Sequence, residues 1–360
     1  MLKLEPRAEP SRVVSVASPV LALGVTVMLG IALFWLLGKD PLRGLSMFFY
    51  EPIKSPRAWA ELSIKATPLL LIGLGLSLCF RSNVWNIGAE GQFILGTVGA
   101  SAVALTATPE SGSYWFVLVL LGGTLGGMAW AALTALLRDR FNASEILVSL
   151  MLVYVAEQVL SYLVHGPWKD PNGYNFPQTI TFLGSTRVPR LLDGTRANWG
   201  VPLALASAAL LWLFMQRTYA GYRLEVGGLA PAAARYAGYS AKSALWTTLL
   251  VSGALAGLAG ALEVAGPVGQ LTTHVPLGYG FAAIIVAFVG RLNPIGVTFS
   301  SVLMSMFYIG GEMSQSRLGL PKSITGVFQG LLLFSLLSCD TFIHNRVRWS
   351  RQRLVDAGAS

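Results

Sequence analysis

The sequence predicts an all-α polytopic membrane protein of about ten transmembrane helices, with both termini in the cytoplasm. Three observations carry that prediction. Hydrophobic residues make up 54% of the chain and charged residues only 12%, about half the charged share of an average soluble domain. The apolar residues gather in runs long enough to cross a bilayer, which takes about 20 residues each. Within those runs glycines recur four apart, a spacing that lets helices approach closely in lipid, where packing must replace the hydrophobic drive. The mean hydropathy of +0.60 overrules the roughly two or three soluble domains that length alone implies.

The elements follow in order. A cytoplasmic tail, 1–17, leads to a first run at 18–38, which is too long for a cleaved signal, lacks a small-x-small site after it, and reads as an uncleaved anchor. Segment 39–61 is basic, falls on the outer side and suits an interfacial helix. Runs at 62–80, 87–107, 115–137 and 144–164 come next, the 87–107 run being interrupted by glycine and polar residues. Such interruptions fit helices that face other helices or a cavity. Gly122 and Gly126 mark a packing face in the 115–137 run. An outer loop at 165–199, rich in Pro, Gly and aromatics, leads to a run at 200–216. An inner loop at 217–242 leads to 243–265, where Gly253 and Gly257 mark a second packing face. The last runs lie at 277–290, 294–311 and 321–338, the first two again interrupted, and a basic tail at 339–360 ends the chain. Residues 18–338 thus form one transmembrane domain. Orientation rests on the basic turn "RDR" at 138–140 and the tail stretch "NRVRWSRQR", both placed inside.

The net charge of +9 fits cytoplasmic loops against lipid head groups and not nucleic acid. Cys79 and Cys339 sit at the ends of apolar runs and form neither a disulfide framework nor a metal site. His165, His274 and His344 have no second ligand nearby in sequence, so no metal site is expected.

The inner loop carries most of the mechanistic information. In "LAPAAARYAG" a proline can start a helix and a glycine can end it. A helix of about two turns is predicted over Pro231 to Tyr236, bounded by Gly227, Gly228 and Gly238. It is too short to span, and Arg223, Arg235 and Tyr236 are available for a partner.

At this point the sequence resembles a family. "GYRLEVGGLAPAAARYAGYS" with "SGALAGLAGALEVAG", "NIGAEGQ", "EILVSLMLVYVA", "GPWKDPNGYNFPQT" and "GYGFAAIIVAFVGRLNPIG" are similar to the permease subunit of nucleoside and simple-sugar ABC importers, over about residues 60–338. The outer stretch "GPWKDPNGYNFPQT" leans to the nucleoside branch. The resemblance implies a multi-pass permease of a prokaryotic inner membrane. It implies a second permease subunit, a copy or a homologue, and an extracytoplasmic substrate-binding lipoprotein. It also implies a cytoplasmic ATPase that docks on the inner loop and holds the ATP and Mg. Consistent with that division, no Gly-x-x-x-x-Gly-Lys-Ser/Thr phosphate loop occurs in the chain, so no cofactor is expected on it and no catalytic residue is assigned. Glu225 stands where the family leads one to expect a basic residue.

Polar residues inside apolar runs are the remaining candidates, because a charge in hydrocarbon costs roughly 3 kcal/mol and must face protein or water. Asn86 and Glu90, four apart, would share a helical face, with Gln92 on another. They either line the substrate pathway or bond to backbone where Gly88 and Gly91 break the helix. Tyr154, Glu157 and Gln158 form the best polar and aromatic cluster near mid-bilayer, and Phe281 could stack on a base. Three rival readings stay open. A branched-chain amino acid ABC permease is disfavoured by the outer loop. An ion-coupled secondary transporter would need paired intramembrane carboxylates, for which Glu157 is the one good candidate. A lipid-directed membrane enzyme would need a nucleophile with a base, and none stands at a credible spacing.

Overall fold

The computed structural model describes residues 2–6, 12–191 and 194–349. Its helices in chain order are α1 (Arg12–Leu36), α2 (Pro41–Phe49), α3 (Pro56–Arg81), α4 (Ala89–Ala104), α5 (Trp115–Phe141), α6 (Glu145–His165), α7 (Gly200–Arg217), α8 (Tyr219–Leu229), α9 (Pro231–Tyr236), α10 (Ala241–Glu263), α11 (Tyr279–Val289), α12 (Pro294–Leu318) and α13 (Ile324–His344). Each predicted run coincides with a helix. Seven of the described helices are long and apolar enough to cross a membrane. Helix α4 has 16 residues and α11 has 11, so the interruptions read in the sequence shorten these two. The ninth run, also expected to be weak, is instead a helix of 25 residues. The described apolar part of α13, Ile324–Cys339, is shorter than a full span.

Segment 39–61 holds α2, one 3₁₀ turn at Glu51–Ile53 and the start of α3. Ser55 caps α3 by accepting from the Ala58 amide, with Pro56 at the first helical position, the arrangement that satisfies otherwise orphaned amides. The chain folds as two compact units. One comprises the residues up to Phe49 and from Gly310 on. In it α1 packs on α13 and Phe34, Phe48 and Phe328 stack as a buried trio. Two short strands, β1 (Leu2–Pro6) and β2 (Asn345–Trp349), pair antiparallel in the same unit, a pairing the tails' sequence does not announce.

The second unit, Tyr50–Ile309, holds α3 to α11 and the first part of α12. Helix α3 is its axis: Leu69, Leu71, Ile72, Leu74, Leu76 and Leu78 are fully buried. Helix α10 packs on α3, α4 and α5, and α4 packs on α5 and α6. Glycine makes these contacts possible. Gly257 lies against Gly96, Gly123 and Gly127, so that a Cβ there would overlap neighbouring backbone; Gly253 meets Gly127 and Ala131. Gly122 and Gly126 pack on the Gly99 turn of α4. Each of the four glycines named for packing therefore stands at a helix seam.

Candidate functional site

One end of the Tyr50–Ile309 unit collects the helices α8 and α9 and three of the ion pairs among the described residues. Helix α9 spans Pro231–Tyr236 with proline at its start, and Gly238 follows in the left-handed conformation at φ +78°, which favours glycine. Tyr236 is 98% exposed, and Arg235 is exposed beside it. Sequence reasoning placed Gly227 and Gly228 as boundaries. Instead both lie inside α8, which begins at a Thr218 cap that accepts from the Gly221 amide. Gly228 is needed there for approach: a Cβ would fall within the radius of the Arg81 carbonyl oxygen. The Arg81 side chain meets Glu225 at 3.3 Å, so the acidic residue at this position has a local partner at the end of α3. Arg223 lies against the rings of Tyr219 and Tyr239, 5.7 and 5.2 Å from the centroids, a cation–π arrangement. The Tyr219 and Tyr239 hydroxyls share a hydrogen bond at 3.3 Å, and that bond, by favouring the protonated phenol, raises the Tyr239 pKa above its ordinary value. Asp139 holds Lys242 at 2.8 Å and accepts from Trp246. Arg138 pairs with Glu145 at 3.1 Å. The pair α8–α9 is thus tied to the ends of α3 and α10 at one surface.

Deeper in the unit lies a buried polar knot. Asn86 is not helical, as the i, i+4 argument assumed; α4 begins at Ala89. Consequently Asn86 does not share a face with Glu90. It pairs instead with Gln92, the residue assigned to another face: Asn86 Nδ2 donates to Gln92 Oε1 at 3.0 Å, and Gln92 Nε2 donates back at 3.1 Å. Asn86 also donates to Ser252 of α10 and accepts from the Gly88 amide. Glu90 turns the other way and accepts from the amides of Gly278, at 3.0 Å, and Gly280. These amides open α11, so a buried carboxyl caps an interior helix N-terminus, where such groups are favoured. Tyr279 packs between Phe93 and Tyr308 beside it. All three polar side chains are enclosed, and their bonding is to neighbouring protein.

Tyr154, Glu157 and Gln158 lie on α6 away from its buried stripe of Ser149, Val153, Ala156, Leu160 and Val164. Tyr154 is 57% exposed, and Glu157 and Gln158 are exposed as well. Phe281 opens outward from α11 at 41% exposure. The structure therefore separates the candidates into an enclosed knot, Asn86–Glu90–Gln92, and an outward polar face on α6.

At the opposite end, loop 165–199 is stitched to the segment after α10. Thr179 donates to Leu271, Phe182 to Gly269 and Val188 to Ala265 through backbone amides. The chain after α10 forms one π turn at Val264–Val268, then runs to the interior start of α11. Sequence reasoning missed helix α8, the Glu90 cap and this stitching. A weak signal for the cap existed in the two glycines, 278 and 280, on either side of Tyr279.

Comparison with known proteins adds to this geometry. Residues 59–337 match a family described as branched-chain amino acid transport system / permease component. The chain is similar to the glucose ABC transporter permease protein TsgB13 of Haloferax volcanii, with 30% identity over 96% of this chain and 93% of the relative. It is 28% identical to the guanosine ABC transporter permease protein NupP of Bacillus subtilis, over 76% of this chain and 78% of that one. It is 26% identical to the nucleoside ABC transporter permease protein NupB of Lactococcus lactis subsp. cremoris, over 88% and 89%.

Proposed function

The chain belongs to the branched-chain amino acid transport system / permease component family, and from that premise we propose that it is the permease subunit of an importer for a nucleoside or related simple sugar. It is a multi-pass membrane protein of the ABC permease class. The substrate reading is supported by relatives whose names specify glucose, guanosine and nucleosides. In this reading the chain has no ATPase site of its own. A cytoplasmic ATPase holds ATP and Mg, a second permease completes the pathway, and an extracytoplasmic lipoprotein delivers the solute.

The observation that carries the mechanism is the surface of α8 and α9. The exposed two-turn helix α9 follows α8, which is pinned through Gly228 and Glu225 to the end of α3, and the pair is suited to receive a push and pass it into the bundle. Past Arg81 the chain enters the Asn86–Gln92–Ser252 knot, and Glu90 next to it holds the start of α11. Motion at α9 therefore has a continuous route to an interior helix terminus. Such coupling requires that the loop make different contacts in two states. The outward polar face of α6 supplies the pathway surface: Glu157 and Gln158 in hydrocarbon would be costly, so they face water or the second permease. Phe281 is a further pathway residue.

Arg235→Glu tests this reading. It leaves insertion intact and uncouples ATP hydrolysis from uptake in the assembled transporter, read as solute moved per ATP in proteoliposomes. Unchanged stoichiometry with Arg235→Glu removes α9 from the mechanism.

A further inference from the structure

At the end that carries loop 165–199, a cavity of about 320 Å³ is bordered by Arg187, Arg190 and Arg196. A second cavity of about 260 Å³ adjoins it, shares Arg190 and Arg196, and adds Arg57. Among the described residues lining the two, Glu61 is the acidic one, and Arg196 engages it through a two-pronged ion pair. Arg187 is held differently. Its Nη2 donates to the Gly269 carbonyl at 3.4 Å, while its Nε is buried with no hydrogen-bond partner among the described residues. Gly269 has φ +74°, and a Cβ there would strike the guanidinium, so the backbone is shaped around this side chain. A guanidinium offers five donors and recognises phosphate in a fork geometry. The charges of Arg187 and Arg190 therefore have no matching carboxylate among the described residues lining the two cavities, since Glu61 is taken up by Arg196.

Below the arginines the surface turns apolar. A groove of about 430 Å³ runs between the first turns of α5 and α7, lined by Phe116, Leu120, Trp199, Leu203 and Ala206. It shares Phe116 and Val188 with the arginine cavity, so the two are continuous. Trp115 and Trp199 stand where α5 and α7 begin, the level at which tryptophan marks a membrane interface. Cationic donors at the interface with an apolar channel descending from them match one ligand shape: an anionic head group with an attached acyl chain. We propose that this is a binding site for an anionic phospholipid, its phosphate on Arg187 and Arg190 and one chain in the α5–α7 groove. An acidic side chain from a partner protein would satisfy the arginines but leave the groove empty. Inorganic phosphate would do the same.

The test uses the full chain in detergent. Phosphatidylglycerol and phosphatidylcholine with identical acyl chains are titrated by native mass spectrometry, with inorganic phosphate in a parallel arm. Phosphatidylglycerol binds in preference. Arg187→Gln weakens it about fivefold, the effect of one basic contact at a membrane surface. Arg190→Gln, at an exposed position, does likewise and covers the case in which Arg187→Gln does not fold. Ala206→Trp, which fills the groove, also displaces the lipid. A photo-crosslinker at Leu203 in native membranes labels lipid. Equal binding of the two lipids, competition by inorganic phosphate alone, or crosslinking of Leu203 to a polypeptide overturns the proposal.

Discussion

Glu90→Ala is the most informative single change. Glu90 is the acceptor for the Gly278 and Gly280 amides at the start of α11. Its own side chain is buried, and Gly280 is buried with it. Alanine removes both acceptors. Each buried donor left without a partner costs about 1–3 kcal/mol, so the start of α11 should open more easily by about 2–6 kcal/mol if the two losses add. Glutamine keeps one carbonyl oxygen and should lose roughly half as much. Because the opening is local, amide exchange measures it more directly than global melting. In the detergent-solubilised protein, a peptide covering 277–285 should exchange about 5–150 times faster for each amide released. Peptides from the core of α3 should keep wild-type rates. Transport should fall along with protection, since α11 is the interior end of the proposed coupling route. Wild-type exchange over 277–285 in Glu90→Ala would refute the cap and, with it, the route.

The remaining predictions concern the surface where α8 meets α3, and the outward face of α6. Gly228→Ala puts a Cβ onto the Arg81 carbonyl, so α8 must move; the cost is about 1–3 kcal/mol, read as a drop in coupled ATPase activity with insertion unchanged. The Arg81–Glu225 pair is only partly exposed, at 20% and 35%, yet a double-mutant cycle should give no more than about 1 kcal/mol, diminishing with salt. Glu157→Ala should alter the rate or affinity of uptake without lowering thermal stability, because its side chain takes no part in the buried stripe of α6; unaltered uptake would remove it from the pathway.

Much of this architecture is legible in the chain because hydropathy and helix punctuation act locally. Pro231 and Gly238 mark a two-turn helix within a loop, and α9 begins and ends accordingly. The same reasoning misjudges Gly227 and Gly228. A glycine pair reads as a breaker from propensity, but Gly228 is small because the Arg81 backbone passes against it, and tertiary approach outweighs the helix penalty of about 1 kcal/mol. The i, i+4 relation between Asn86 and Glu90 fails for a related reason: it presumes a helix already formed at Asn86, and α4 starts at Ala89. Glu90's partner Gly278 lies 188 residues away in sequence, beyond the reach of any periodicity. Charge patterning does better, since Arg81, Arg138, Asp139, Glu225 and Lys242, all placed on the inner side or at its helix ends, are drawn into the ion pairs of one surface.

The central claim is that this chain moves solute only when another polypeptide hydrolyses ATP against α8 and α9. The direct measurement is uphill accumulation of labelled guanosine or glucose in sealed proteoliposomes containing the substrate-binding protein, with and without the cognate ATPase. The account predicts accumulation only when ATPase and ATP are both present, and its loss in Arg235→Glu. Accumulation against a gradient by vesicles lacking the ATPase would contradict it.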